Sequence, residues 1–344
     1  MHPRQLIKPT TLSIITTFKC SAACDNCCFE CNPKRTEKLP LEMALGHIEN
    51  SISKFPSLKV VVITGGECFL DISYMSSIIK YAKSKGLICR VVTNGFWAKD
   101  KESAIELLSK LKSEGLDEIN FSTGDDHLNY VPIKSIKNGI SAAISLNLVT
   151  VVNIESGKDR KFNMSEFLDD PEMLSLTKNS QNRLSIINGV WMPFTKESIC
   201  YLPPLDPKSY HPVMDRCTNL FTSLTISPTN RLLACCGLPV MYIRHLDLGN
   251  LSTHHIDELY DCQFDDFLKI WLFVEGPYKI LTFVASKLGY NTVPELKILS
   301  HMCFYCACLF SSDKYLDVLK SHYQEKFASI MMRYNFLTKQ EQIF

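Results

Sequence analysis

Short runs of apolar, mostly β-branched residues alternate along the first half of the chain with longer stretches whose apolar positions recur every three or four residues. These are the periodicities of strands and of amphipathic helices. The run at 12–17 predicts a first strand. Pro40 opens a helix in which Ala44, Ile48 and Ile52 share one face, proline suiting a first helical turn because its missing N–H would go unpaired there anyway. Residues 60–63 are apolar without interruption, as in a strand covered on both sides. The alternation continues with helix 73–83, strand 88–92, helix 101–112 and strand 118–122. A helix from Pro132 comes next, with Ile133, Ile136, Ile140 and Ile144 along one side, then strand 148–154, helix 165–174 and strand 184–187. Six β-α repeats predict an α/β fold built on a parallel sheet with right-handed crossovers.

After residue 190 the pattern breaks. Pro193, Pro203, Pro204, Pro207 and Pro212 stand too close together for regular structure, so 191–212 is expected to link a first domain at 1–190 to a second. Residues 221–226 and 231–235 read as the strands of a hairpin turning through Ser227, Pro228, Thr229 and Asn230, and helical stretches come after Leu251. The most apolar of these, 271–290, is interrupted by Glu275, Gly276, Pro277, Lys279 and Lys287. A membrane span needs about 20 largely apolar residues, so two packed helical pieces are expected and no membrane association. Leu316, Leu319, Tyr323, Phe327, Ile330 and Tyr334 form one helical stripe within 313–337. The expected partition adds a small α+β cysteine-rich domain at 213–310 and a C-terminal amphipathic helix at 311–344.

The 344 residues suffice for one large α/β domain and a smaller one. Their 37 basic and 36 acidic residues nearly cancel, with no dense Lys/Arg run, which argues against a surface that tracks a phosphate backbone and so against nucleic acid as a partner. The first residues lack the apolar core of a signal peptide, and a cytoplasmic protein is expected. Fifteen cysteines without an export signal point to metal or redox chemistry rather than a disulfide framework. Their placement is uneven. Cys20, Cys24, Cys27, Cys28 and Cys31 bunch near the front, and Cys217, Cys235, Cys236, Cys303, Cys306 and Cys308 occupy the back third.

Cys20, Cys24 and Cys27 crowd three thiols into eight residues just after the first strand. One loop of this spacing can hold three irons of a 4Fe-4S cube and leave the fourth without a protein ligand. A zinc site completed by Cys28 and Cys31 is the competing use of the same residues. The Cys-x3-Cys-x2-Cys pattern after a first strand resembles the signature of the radical S-adenosylmethionine (SAM) superfamily. Asn26 stands where that family usually has an aromatic residue, and its place in the loop puts it among the expected cofactor contacts. The resemblance implies a partial (β/α)6 TIM-like barrel and a cluster on Cys20, Cys24 and Cys27 that chelates SAM. It also implies one-electron cleavage of the sulfonium to methionine and a 5′-deoxyadenosyl radical, which abstracts hydrogen from a substrate.

Ligand chemistry in such folds gathers at the carboxyl ends of the strands. The second strand ends in Thr64, Gly65, Gly66 and Glu67, about 40 residues after the cysteine loop. Two glycines let backbone approach a ligand closely and a carboxylate stands ready for an ammonium group; by itself the tripeptide is a common turn. By the resemblance, Gly65, Gly66 and Glu67 contact the SAM amino group, with Cys68 where the family often has proline. The third strand ends in Thr93, Asn94 and Gly95, again family-like and equally served by a plain turn. The same analogy has Ser122 and Asn153, at the fourth and fifth strand ends, bind ribose or the methionine carboxylate. Asp125, Asp126 and His127 come after the fourth strand as either a solvated loop or a source of the base that removes a proton after hydrogen abstraction.

In the rear half, Cys217 and Cys235 stand 17 residues apart across the hairpin, and Cys303 and Cys306 form a later Cys-x2-Cys. Together they can supply four thiolates to one metal centre, zinc included. The layout resembles the auxiliary-cluster domain of the SPASM/Twitch subgroup of radical SAM enzymes and implies one auxiliary 4Fe-4S cluster, with Cys236 and Cys308 near enough to be alternative ligands. Asn230 stands where that subgroup commonly has glycine. A second cluster implies an oxidative outcome, because an electron leaving the substrate radical needs an acceptor. The expected activity is oxidative modification of a ribosomally synthesised peptide, by crosslink, thioether or epimerisation. The expected partners are an external one-electron donor such as flavodoxin or ferredoxin and a separate peptide-recognition protein, since the eleven or so residues before the first strand are too few for a recognition domain. Dehydrogenation of a small alcohol or sugar is the alternative, and a zinc-binding interaction module without catalysis is a third.

Overall fold

The apolar runs become strands as their periodicity requires. In the computed structural model, which describes residues 7–156, 162–190, 216–293 and 301–340, six strands lie parallel in consecutive order: β1 (Thr11–Ile15), β2 (Val60–Thr64), β3 (Ile88–Thr93), β4 (Leu116–Gly124), β5 (Val149–Ser156) and β6 (Leu184–Val190). They are connected by α1 (Leu41–Lys54), α2 (Ile72–Ser84), α3 (Lys101–Glu114), the single turn α4 (Asp125–Leu128) and α5 (Ile133–Ser145), then by α6 (Met164–Asp169) and α7 (Pro171–Asn179). The helix expected at 165–174 is therefore two. Asp170 separates them, its carboxylate capping the N–H groups of Glu172 and Met173 with Pro171 at the first helical position.

Alternate strand residues face opposite sides of the sheet. Val61, Ile63, Cys89, Val91, Ile119 and Phe121 are buried under the helices, while Arg90, Glu118, Asn120, Ser122 and Asn153 lie on the helix-free face and keep contact with solvent. That face is the interior of the partial (β/α)6 barrel that the resemblance implies.

The rear hairpin extends the same sheet. β7 (Ser223–Ile226) pairs in parallel with β1, placing Ser223 opposite Thr11. β8 (Arg231–Leu233) and β9 (Asp247–Asn250) continue antiparallel, so the described strands form one nine-stranded sheet, β6-β5-β4-β3-β2-β1-β7-β8-β9. Both hairpin strands are shorter than expected: Phe221 has φ 68° and cannot continue a strand, and β8 stops before Ala234. β9 was not expected. Asp, Gly and Asn make up three of its four residues, types depleted in strands, and pairing with β8 makes it one. The linker expected at 191–212 lies outside the described residues.

The remaining described elements are α8 (Ile256–Asp261), α9 (Phe267–Lys287), α10 (Met302–Ser311), α11 (Asp313–His322) and α12 (Gln324–Gln340). At Gly276, φ 76° and ψ 165° break α9 into the two pieces expected around Pro277. Among the described residues no helix is long and apolar enough to cross a membrane. The single stripe expected at 313–337 is divided at Tyr323. Leu316, Leu319, Ile330 and Tyr334 are buried, but Tyr323 and Phe327 are 38% and 46% exposed.

Candidate functional site

The loop after β1 carries Cys20, Cys24 and Cys27, and backbone hydrogen bonds hold it in place. Phe18 N donates to Glu37 O, Cys20 N to Asn32 O, and Cys27 N to Cys24 O. Three contacts aim at sulfur: Ala22 N lies 3.4 Å and Asn94 Nδ2 3.7 Å from Cys20 Sγ, and Cys31 N lies 3.4 Å from Cys27 Sγ. N–H groups directed at sulfur are what tune thiolate ligands of an iron-sulfur cluster. The thiols also lie within charge reach of one another. Burial, followed by Cys27 and then Cys20, pushes the Cys24 thiol well up, and burial lifts Cys20 to about 11. Hydrogen bonding from the Cys31 thiol instead brings Cys27 down to about 6. Three soft donors crowded on one loop, with N–H groups aimed at the sulfurs of Cys20 and Cys27, fit a cluster that displaces their protons on binding.

Gly65 and Gly66 serve this loop directly. A Cβ at Gly66 would lie 2.1 Å from Lys19 O and 3.1 Å from Cys20 N, and one at Gly65, where φ is 140°, would lie 2.6 Å from Thr17 O. Gly66 N donates to Thr17 O and Glu67 N to Lys19 O. The close approach that the glycines permit is thus made by the chain's own cysteine loop.

Glu67 also meets the loop, its N–H donating to Lys19 O. Its carboxylate is fully buried and occupied by the protein. Phe69 N donates to Oε1 at 3.0 Å, Thr93 Oγ1 to Oε1 at 2.8 Å and Asn94 N to Oε2 at 2.8 Å. Through these donors the carboxylate ties the end of β2 to the end of β3. Asn94 carries the connection onward, since its Nδ2 donates to Ser21 Oγ at 3.0 Å.

The polar segment after β4 forms α4, and hydrogen bonds tie its side chains to neighbouring elements. Asp126 Oδ2 accepts from both Asn26 N (3.0 Å) and Asn26 Nδ2 (2.7 Å), so Asn26 holds the cysteine loop to α4. Asp125 Oδ1 accepts from Phe162 N at 2.6 Å. His127 Nδ1 lies 3.1 Å from Glu155 Oε2, while Glu155 Oε1 accepts from the N–H groups of Asp126 and His127. Glu155, buried to 7% exposure, thus takes up the amides that open α4, and burial holds its carboxyl above the ordinary range against the pull of His127. Sequence reasoning assigned Glu155 no role. The signal for it was its position two residues beyond Asn153 on the same strand face. Tyr130 was missed as well; its hydroxyl donates to Ala23 O at 2.6 Å. Ser122 and Asn153 are register partners on β4 and β5 and face the barrel interior together.

The rear cysteines come from three stretches far apart in sequence. Cys217, Cys235, Cys303 and Cys306 line one cavity with Leu220, Leu246, Leu272 and Pro277 among its walls. Cys236 and Cys308 do not line it, and Cys236 is exposed. Gly237 closes the wall where a Cβ would lie 3.3 Å from Cys303 Sγ and 3.4 Å from Cys235 Sγ, so a side chain at 237 would intrude between two of the four sulfurs. Gly237 N also lies 3.4 Å from Cys235 Sγ. The four thiols share one largely apolar cavity. Among the described residues, no three His, Cys, Asp or Glu side chains converge as ligands of a single ion do.

The sequence profile of the radical SAM superfamily matches residues 14–186, about half of the chain. YydG of Bacillus subtilis (strain 168), named as a putative peptide biosynthesis protein, is 29% identical over 128 residues, which is 37% of this chain and 40% of that one. The chain therefore spans less than half the length of this relative. Two solved structures share the fold along nearly the whole length. anSMEcpe with bound AdoMet superposes with a TM-score of 0.56 at 13% identity, covering 95% of this chain and 99% of that chain. anSMEcpe with bound AdoMet and the Cp18Cys peptide gives 0.53 at 13% identity, covering 96% and 99%.

Proposed function

Because the chain belongs to the radical SAM superfamily, we propose that it cleaves SAM reductively at a 4Fe-4S cluster held by Cys20, Cys24 and Cys27, and that it oxidatively modifies a ribosomally synthesised peptide. The observation that carries the oxidative half is the convergence of Cys217, Cys235, Cys303 and Cys306 on one cavity, read as the site of a SPASM/Twitch-type auxiliary 4Fe-4S cluster. The peptide half is supported by the relative YydG and by the peptide-bound relative of the same fold.

A cluster held by Cys20, Cys24 and Cys27 would supply the one-electron reduction of SAM on which hydrogen abstraction from the substrate depends. The chain's own residues supply position. Gly66 sets the height of Cys20 over the end of β2, Asp126 fixes the loop through Asn26, and Glu67 locks the ends of β2 and β3 beneath it. Asn94, Ser122 and Asn153 are assigned to SAM from their places at successive strand ends. Glu155 and His127 hold the first turn of α4, and the proton-removing role is assigned among Asp125, Asp126 and His127. The electron donor is read as a flavodoxin or ferredoxin.

The reading is tested on protein purified and reconstituted without oxygen. It should bind about eight irons as two cubes and release 5′-deoxyadenosine with dithionite and SAM. Joint Cys20→Ala, Cys24→Ala and Cys27→Ala replacement should abolish that release. Cys217→Ala with Cys235→Ala should leave about four irons and retain SAM cleavage. A colourless protein holding zinc would end the radical reading.

A further inference from the structure

The helix-free face of the barrel carries features that the cluster sites do not use. On it, Ile88, Val149 and Ile187 remain 47%, 40% and 49% exposed, although a sheet face of large apolar residues is ordinarily covered. Between Ile88 and Val149 lies an ion pair on adjacent strands, since Arg90 is the register partner of Glu118. Arg90 Nε lies 2.8 Å from Glu118 Oε1, and Nη2 donates to Oε2 at 2.9 Å. The Asn120 amide reaches Glu118 as well and can donate to Oε1 at 2.9 Å when its nitrogen is placed on that side.

Glu118 therefore accepts one hydrogen bond, from Nη2, while Nε lies close to it without donating, and the rest of the guanidinium is left over. No acceptor among the described residues meets the Nη1 end, and the Arg90 side chain is 36% exposed. A planar fork left open beside exposed apolar side chains is complementary to a carboxylate on an otherwise apolar segment.

Resting on the peptide-modification reading above, we propose that Arg90 is a substrate-positioning residue that binds an acidic side chain of the peptide, with Val149, level with Glu118, and Ile187, level with Ser122, packing against the chain from the anchor to the reacting residue, and Ile88 packing beyond the anchor. Glu118 holds the guanidinium in register. The geometry also sets a spacing. Ser122, assigned to SAM on that same reading and so taken as the level of the reacting residue, lies four residues beyond Glu118 on β4, about 13 Å at strand rise. An extended peptide covers about 3.3–3.6 Å per residue, so the acidic residue should lie about four positions from the residue that loses hydrogen.

The test uses the reconstituted holoenzyme with SAM, dithionite and a pool of N-acetylated, C-amidated dodecapeptides randomised at every position, in D2O. Modified peptides are sequenced by tandem mass spectrometry. Wild type should modify peptides in which Asp or Glu is enriched about tenfold at four positions from the altered residue, the scale of one charge-assisted fork. Arg90→Gln should remove the enrichment and leave substrate-free 5′-deoxyadenosine release within about twofold. Arg90→Lys, which keeps the charge and loses the fork, should retain part of it and serves if the glutamine variant does not fold. Modified peptides without an acidic preference, or a preference that survives Arg90→Gln, would overturn the anchor while leaving peptide modification standing. Equal loss of SAM cleavage and thermal stability in both variants would make the pair a structural strut. A pool left wholly unmodified while SAM is cleaved would sink the peptide reading and the anchor with it.

Discussion

Single atoms at Gly66 and Glu67 decide how the cysteine loop sits. A methyl group at Gly66 would meet a backbone carbonyl at 2.1 Å, and backbone cannot swing aside as a flexible side chain can. Gly66→Ala should therefore displace Cys20, cost about 1–3 kcal/mol of stability as overpacking does, and lower the iron bound at the first site. Iron analysis beside thermal melting checks both. Glu67 adds a pH dependence. Burial raises its carboxyl from an ordinary 4.5 to about 7, so the native state keeps this proton longer than the unfolded chain. Its contribution to stability is fully present below 4.5 and is lost as pH rises through about 7. Urea unfolding between about pH 5 and 8 should show this decline, and Glu67→Gln should flatten it. Asp126→Ala would strand both donors of Asn26 at a cost of about 1–3 kcal/mol and should speed iron loss to a chelator. The glycines and the carboxylate were visible in the sequence as a motif. What they touch was not, because the partners of Gly66 and Glu67 lie on other strands' loops, and periodicity carries no information about contacts between loops.

Among the elements, the hairpin turn shows why a residue that departs from a family pattern can still be well placed. Asn230 sits at φ 60°, a conformation glycine adopts without strain and asparagine tolerates. Its side chain adds what glycine lacks: Oδ1 lies 2.6 Å from His47 Nε2 on α1, and Nδ2 donates to Ser252 Oγ at 2.8 Å. Asn230→Gly keeps the backbone and removes both contacts, so it should lower stability by about 1–3 kcal/mol and leave the rate of SAM cleavage unchanged. A melting curve paired with a 5′-deoxyadenosine assay separates the two. The strands and helices of the first half were legible because each has its own apolar period. β9 was not, because its strand state comes from the exposed edge of β8 and not from its own residues. The division of the tail at Tyr323 was hidden for a similar reason: a continuous stripe describes one helix and two helices equally well.

At the scale of the molecule, β7 joins the rear cysteines to the barrel by pairing with β1, the strand that leads into the cysteine loop. Two metal centres would then share one sheet, and metal binding should contribute to folding at both ends of it. Removing iron should lower the melting temperature of the whole chain and open α10, which carries Cys303 and Cys306, to proteolysis. With Cys303→Ala and Cys306→Ala, α10 should be cut at the same rate with or without iron, and limited digestion read by mass spectrometry would show it. The sequence by itself determined the six parallel repeats, the two cysteine sets and their order, because strand period and ligand spacing are local properties of a chain. Only the tertiary structure decided which four rear thiols share a cavity, that Glu67 and Asp126 brace the cysteine loop, and that Arg90 presents an open fork inside the barrel. Each of these depends on residues brought together from distant strands, and side-chain direction and burial exist only once those strands have paired.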